Sequence, residues 1–366
     1  MRTAKQIDQL KKIVTIIGAR PQFIKAAAVS RTIRKTSGID EVIVHTGQHF
    51  DDNMSSVFFR EMDIPQPDYQ LEINSLSHGA MTGRMIEKIE QVLIKEKPDL
   101  VMVYGDTNST LAGALAAKKL DIGVAHVEAG LRSFNMKMPE EINRILTDRI
   151  SDLLFCPTDT AVHNLKEEGF RHFNCRIENV GDVMYDAALF YGEISPQHSD
   201  ILKRLKINPG SYIVSTVHRQ ENTDDPSNLK SIITALNRIH SHKRVVLPLH
   251  PRTRKIMSRH GIIPVFDPVE PVGYFDMLEL LKHCGLVITD SGGMQKEAYF
   301  FNKYCITVRL ETEWIELVKN HYNFLTGPDE EKILQVFQQT ESKQFNNIHH
   351  FYGTGNASRK IVDLIS

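Results

Sequence analysis

Charge of either sign in excess is missing from this 366-residue chain: 44 Lys and Arg stand against 45 Asp and Glu, a formal net charge of −1. Without a basic surplus there is no electrostatic case for a DNA, RNA or anionic-membrane partner. Cysteine is scarce, with Cys156, Cys175, Cys284 and Cys305 and no C-x-x-C pair. Cys156, Cys284 and Cys305 lie in apolar stretches, which reads as buried reduced thiols in a cytoplasmic protein rather than a disulfide framework. No apolar run approaches the roughly 20 residues of a membrane helix, and the polar stretch 1–12 has no apolar core for a secretory signal. Sixteen histidines are present, but H-E-x-x-H or a comparable ligand spacing is not. His240, His242, His349 and His350 stand in polar contexts and read as surface residues, so no metal is expected.

What is present is ordinary for a soluble globular chain, 41% apolar and 24% charged. The length exceeds one comfortable core and predicts two domains. Short β-branched runs alternate with longer helical ones. Residues 12–17, 42–46, 99–104, 124–127 and 153–156 read as strands, and 21–35, 80–95, 110–119 and 139–151 as helices. A second series begins near Tyr212, with strands at 212–216, 244–248, 286–289 and 305–308 and helices at 226–241, 273–282 and 294–301. Such βαβ series make parallel sheets covered on both faces. Pro196, Pro209 and polar residues mark 192–210 as a hinge. The expected division is 1–195 for the sugar and acid/base side, 196–354 for nucleotide binding, and a helix over 355–366 crossing back to the first domain. The fold class is α/β, two Rossmann-like doubly wound domains facing a central cleft, where ligands bind at the carboxyl ends of the strands.

The unusual residues fall just after the predicted strands. Thr289-Asp290-Ser291-Gly292-Gly293-Met294-Gln295-Lys296-Glu297 joins a strand to a helix. Backbone N–H groups and the positive helix end suit a diphosphate there, and Glu297, one turn on, suits ribose hydroxyls. The other strand ends supply Arg20 and Lys25, Asp106, Glu128, then Glu140, Glu141, Asn143 and Arg144, and in the second half His218 to Asn222 and His250 to Arg252. Each has a bland reading taken alone: Asp106 as a helix cap, Glu140 and Glu141 as complements of a helix dipole, Arg20 as an ion-pair partner, His218 as a hydrogen-bonded core residue. Together, three acids, a histidine and cations at sheet ends point to acid/base chemistry, with buried carboxylates expected to carry raised pKa values.

The motifs G-A-R-P-Q-F-I-K (18–25), Y-G-D-T-N-S-T (104–110), H-V-E-A-G-L-R (126–132), P-E-E-I-N-R (139–144), V-H-R-Q-E-N (217–222), L-H-P (249–251) and T-D-S-G-G-x-Q-x-E (289–297) resemble, in order and spacing, the non-hydrolysing UDP-N-acetylglucosamine 2-epimerases. The resemblance implies a GT-B fold, a UDP-sugar substrate, no cofactor and a homodimer. It implies inversion at C2 by anti elimination of UDP to a 2-acetamidoglucal and re-addition of UDP. Asp106, Glu128 and Glu140 match the acid/base positions, and His218 and Arg20 those that steady the diphosphate. Ser291, Gly292, Gly293 and Glu297 match the phosphate- and ribose-holding positions, and Lys25, Arg144 and His250 are further substrate-binding candidates. Met277 stands where relatives often carry an aromatic, and Leu71-Glu72-Ile73-Asn74-Ser75 departs from the pattern of a second, activating UDP-sugar site. H-T-G-Q-H-F-D (45–51), R-S-F-N-M-K-M-P-E-E (132–141), E-N-T-D-D (221–225) and E-T-E-W (311–314) resemble the branch acting on UDP-2,3-diacetamido-2,3-dideoxy-glucuronate, which serves O-antigen and capsule precursors; Lys137 is a candidate cation for the substrate carboxylate, with a solvated loop lysine the favoured reading. UDP-N-acetylglucosamine is the alternative substrate. A glycosyltransferase of the same fold and a hydrolysing epimerase are the rival activities; the first would need an acceptor groove and the second would release free sugar.

Overall fold

The computed structural model describes residues 10–48 and 65–366. The end of the H-T-G-Q-H-F-D motif, from position 49 on, and the side chain of Arg20 lie outside the described residues. Among them, no helix is long and apolar enough to cross a membrane.

One compact unit comprises the chain up to Ala187 together with His350–Ser366, and the other comprises Ala188–His349. The first holds a seven-stranded parallel sheet made of β1 (Lys11–Ile17), β2 (Ile39–His45), β3 (Tyr69–Gln70), β4 (Leu100–Tyr104), β5 (Gly123–Val127), β6 (Leu153–Cys156) and β7 (Arg176–Asn179). Its order is β3-β2-β1-β4-β5-β6-β7. Every residue of β4 is buried, as a strand covered by helices on both faces must be. The order reverses between β1 and β4, so the crevice at their carboxyl ends is the place for a ligand.

The second unit holds β8 (Tyr212–Thr216), β9 (Arg244–Val246), β10 (Leu286–Thr289), β11 (Cys305–Thr307) and β12 (Asn323–Leu325), all parallel, in the order β12-β11-β10-β8-β9. Side chains alternate across it. Ile213 packs with Leu229, Ile232 and Leu236 on one face, while Tyr212 and Val214 pack with Leu280, Leu281 and Met294 on the other. The reversal here lies at β8 and β10, which are paired neighbours.

The chain leaves the first unit inside a helix, Val183–His198, that was expected to be partly hinge. Pro196 is the misleading signal, because proline lacks the N–H that would bond to the carbonyl four residues back, that of Gly192. In the fold that carbonyl is satisfied from the side. Lys282 Nζ donates to it at 2.7 Å, and Ser195 Oγ lies 3.0 Å from it and 2.6 Å from Glu279 Oε1. A further helix, Ile201–Arg204, occupies more of the expected hinge. We expect Ser195→Ala to cost about 1 kcal/mol, the net value of one buried hydrogen bond, read as a lower urea midpoint of the second unit; an unchanged midpoint would mean that Lys282 alone suffices.

The last helix, Ala357–Ile365, returns to the first unit and packs on the helix Arg20–Ile33. Asp186 holds its N-terminus, accepting from Ala357 N (3.0 Å), Ser358 N (2.8 Å) and Ser358 Oγ (2.6 Å). This carboxylate satisfies orphan N–H groups from far away in sequence, which no local capping pattern announces.

Candidate active site

In the first unit the site grows from the ends of β1, β4 and β5. Gly105 follows β4 with φ +64°, and a Cβ there would sit 3.2 Å from Lys25 Nζ and 3.7 Å from Glu128 Oε1. Glycine therefore answers two needs, the left-handed backbone and the close approach of a cation. Lys25, on helix Arg20–Ile33, pairs with Glu128 at 2.6 Å, and the two side chains are only 9% and 8% exposed. Glu128 itself has φ +73°, a strained conformation for a residue with a side chain. The strain is held by Glu128 N and Ala129 N, which both donate to the Phe155 carbonyl (3.0 and 3.1 Å).

Beside Gly105, Asp106 pairs with Arg144, which also pairs with Glu141. Asn143 Nδ2 donates to the Asp106 carbonyl at 3.0 Å. Glu141, read in the sequence beside Glu140 as a complement of a helix dipole, is fully buried and accepts from Arg144, from Ser133 N and from Phe134 N (2.8 Å). It thereby fixes the loop 131–138, in which Phe134 has φ +60° and is 68% exposed. Glu128 and Asp106 each have a cation in contact, so pairing offsets their desolvation. Glu140, in the first turn of helix Pro139–Ile150, is exposed and stands outside this network, as does Lys137.

In the second unit the site grows from the ends of β8 and β10. Asp290 is fully buried and ties the two together. It accepts from His218 N (3.0 Å), Arg219 N (2.9 Å) and Asn222 Nδ2 (3.1 Å), and its Oδ1 lies 3.5 Å from His218 Nδ1. Burial pushes the His218 imidazole below its ordinary value, opposed by the Asp290 carboxylate and aided by Arg219 and His250.

Ser291 caps the helix Gly292–Phe300, its Oγ accepting from Met294 N at 3.4 Å. The N–H groups of Gly292 and Gly293 open that helix and have no intrahelical partner. A Cβ on Gly292 would meet Arg219 Nη2 at 3.7 Å, Trp314 Nε1 at 3.8 Å and Glu313 Oε2 at 3.9 Å. Trp314 Nε1 donates to the Gly292 carbonyl at 2.9 Å, and Lys296 Nζ lies 4.1 Å above the indole ring. Arg309, 2% exposed, pairs with Glu313 behind them. Glu297 is 8% exposed in the same helix.

His250, an expected binder, and Met277, which stands where relatives often carry an aromatic, each make contacts within the fold. His250 Nδ1 caps the helix Pro251–Arg259, accepting from Arg252 N at 3.2 Å. Met277 packs on the core beneath the helix Tyr274–His283. Arg219, Asp290, Lys296 and Trp314 went unassigned in sequence, although all four lie in the motifs. An aspartate or arginine next to a strand end was the available signal.

Each unit can therefore do one half of a task. The first presents carboxylates with a lysine and an arginine against them, suited to moving a proton. The second presents a helix N-terminus, a histidine and an arginine, suited to an anionic diphosphate.

Comparison with known proteins gives the family. The family profile described as UDP-N-acetylglucosamine 2-epimerase matches residues 31–366. The chain is 53% identical to a UDP-2,3-diacetamido-2,3-dideoxy-D-glucuronate 2-epimerase of Pseudomonas aeruginosa, covering 97% of this chain and 99% of that one. It superposes with a TM-score of 0.88 on the UDP-GlcNAc 2-epimerase of Methanocaldococcus jannaschii in complex with UDP-GlcNAc and UDP, at 41% identity over 97% of this chain and 99% of that one. The UDP-GlcNAc 2-epimerase of Neisseria meningitidis bound to UDP-GlcNAc follows at TM-score 0.87, 30% identity and 97% and 99% coverage. The two parallel α/β units are those of the GT-B class. The chain belongs to the UDP-N-acetylglucosamine 2-epimerase family, whose members are isomerases.

Proposed function

We propose that this protein inverts C2 of UDP-2,3-diacetamido-2,3-dideoxy-glucuronate to give the manno isomer, a sugar of O-antigen or capsule type, acting as a homodimer in the cytoplasm. The observation that carries the substrate is the 53% identity to the Pseudomonas enzyme across almost the whole of both chains. The observation that supports the chemistry is the cluster Lys25, Glu128, Asp106 and Arg144 around Gly105. A reducing compartment suits the four free cysteines, of which Cys284 and Cys305 have thiols pushed up to about 12 by burial.

In this reading a carboxylate takes the C2 proton as the C1–O bond to the β-phosphate breaks on the opposite face. The electron pair of the C–H bond becomes the C1–C2 double bond, and UDP leaves with the pair of the C–O bond. Glu128 is the base on one face, and Asp106 and Glu140 are the acid candidates for the return on the other. The charge that develops on UDP is met by the opening N–H groups at Gly292 and Gly293, by His218 and by Arg20. Glu297 holds the ribose. Re-addition of UDP after protonation from the second face gives the epimer, so no redox cofactor enters.

The test is proton NMR in D₂O with this nucleotide sugar in one tube and UDP-N-acetylglucosamine in another. Deuterium at C2 in a persisting gluco/manno mixture is expected, faster in the first tube. Faster exchange in the second would reassign the substrate, in line with the UDP-GlcNAc 2-epimerase of Methanococcus maripaludis at 43% identity. Free UDP and free sugar would mean hydrolysis, and no exchange in either tube would refute epimerisation of these sugars.

A further inference from the structure

His126 is the penultimate residue of β5, two residues before Glu128, and is completely buried. Its Nδ1 lies 2.7 Å from Asp148 Oδ1, and its Nε2 lies 2.7 Å from the carbonyl oxygen of Gly105. The carbonyl can only accept. Asp148 takes two donors on its other oxygen, Arg132 Nη1 at 2.7 Å and Gly130 N at 3.1 Å, as an ionised carboxylate does. A neutral imidazole has one N–H and would leave one of its two short contacts between acceptors. Both contacts are satisfied at once only if both ring nitrogens carry protons.

The two partners belong to different elements. Gly105 precedes Asp106 on the loop after β4. Asp148 lies on the helix Pro139–Ile150, which holds Glu140 in its first turn and carries Arg144, the partner of Asp106. His126 stands on the strand that leads to Glu128. We propose that His126 is a positioning residue, a buried imidazolium that binds the Gly105 carbonyl and the Asp148 carboxylate and so sets the three acid-bearing elements against one another.

The surrounding charges permit a buried cation. Asp148 faces it directly from its helix, and Arg132 stands behind Asp148. Glu168 takes Arg132 Nε at 2.6 Å and Nη2 at 2.8 Å. Cys156, at the end of β6, is a neutral thiol whose pKa burial raises, with the Asp148 charge acting the same way. Two cations and two anions therefore cancel in this network. Its value to the reaction lies in distance, since a base misplaced by about 1 Å costs on the order of 100-fold in rate.

The proposal rests on the reading that Asp106 and Glu128 move the proton. Full-length His126→Gln keeps a donor able to reach Gly105 but lacks the second bond, and His126→Asn keeps the reverse. For each we expect kcat for C2 exchange to fall at least tenfold, with KM and the UDP dissociation constant unchanged. A role confined to folding would lower the yield of folded enzyme and leave kcat per folded molecule intact, which would overturn the proposal. Nitrogen-15 NMR of histidine-labelled wild-type enzyme decides the charge without any variant. The ring identified by its Overhauser contacts to Gly105 must show two N–H groups; a ring with one overturns the imidazolium. If wild-type enzyme exchanges no UDP-sugar, the functional reading fails, while the NMR result still judges the ring.

Discussion

Glu128→Gln should lose about 100- to 10,000-fold in kcat, the range for removing a positioned general base, while binding UDP as wild type does. The loss follows from what the carboxylate sits among. It pairs with Lys25 at 2.6 Å, and both side chains are more than nine-tenths buried. Glutamine retains an oxygen for Lys25 to bond, so the pair's geometry survives while the basic site disappears. Lys25 then keeps its charge without a full counter-charge, and some stability is lost with the activity. Of the groups proposed to hold UDP, Ser291 to Gly293, His218 and Glu297 belong to the other compact unit and Arg20 to this one, so calorimetry with UDP serves as the control. Deuterium exchange at C2 gives the rate. A variant that exchanges as fast as wild type removes Glu128 from the chemistry; a variant that no longer binds UDP shows a wider disturbance than the loss of a base.

Asp148→Asn should destabilise the first unit by about 3–5 kcal/mol at neutral pH, the cost of removing one partner from a buried ion pair. Asp148 is fully buried between His126 and Arg132. Burial by itself would raise its carboxyl, but the His126 ring and the Arg132 guanidinium outweigh burial and hold the carboxyl below its usual value. A depressed carboxyl contributes stability that is complete above its unfolded value, about 3.9. That contribution is lost as pH falls through the lower folded value. The gap between wild type and variant should therefore be widest near neutrality and close as the pH is taken below about 4. Urea-unfolding midpoints of both proteins along a pH series test this. A gap that stays constant, or widens in acid, would mean that the aspartate acts through packing and not through its charge.

Much of this architecture is legible in the chain. β4 is an unbroken apolar run and β8 a β-branched one, and parallel strands covered on both faces demand such runs. The pauses after them carry Gly105-Asp106, His218-Arg219 and Ser291-Gly292-Gly293, because only strand ends at a sheet's carboxyl edge leave backbone and polar side chains open to a ligand. Short edge strands such as Tyr69–Gln70 and Asn323–Leu325 were missed, since two or three residues show no periodicity. The helix through Pro196 was missed because the donors that rescue Gly192, Lys282 among them, are remote in sequence.

What the sequence by itself determined is the α/β class, the placement of Asp106, Glu128 and the Ser291-Gly292-Gly293 turn after strands, and the family, all of which rest on local pattern and on motifs in order. Only the tertiary structure decided which charges meet. Lys25 finds Glu128 and Arg144 finds Asp106. Asp148 finds His126 and Arg132, and Asp290 gathers His218, Arg219 and Asn222. The physical reason is that desolvation is repaid only by a partner at bonding distance. In a parallel sheet that partner comes from the neighbouring strand or the crossover helix, whose distance along the chain bears no relation to its distance in space.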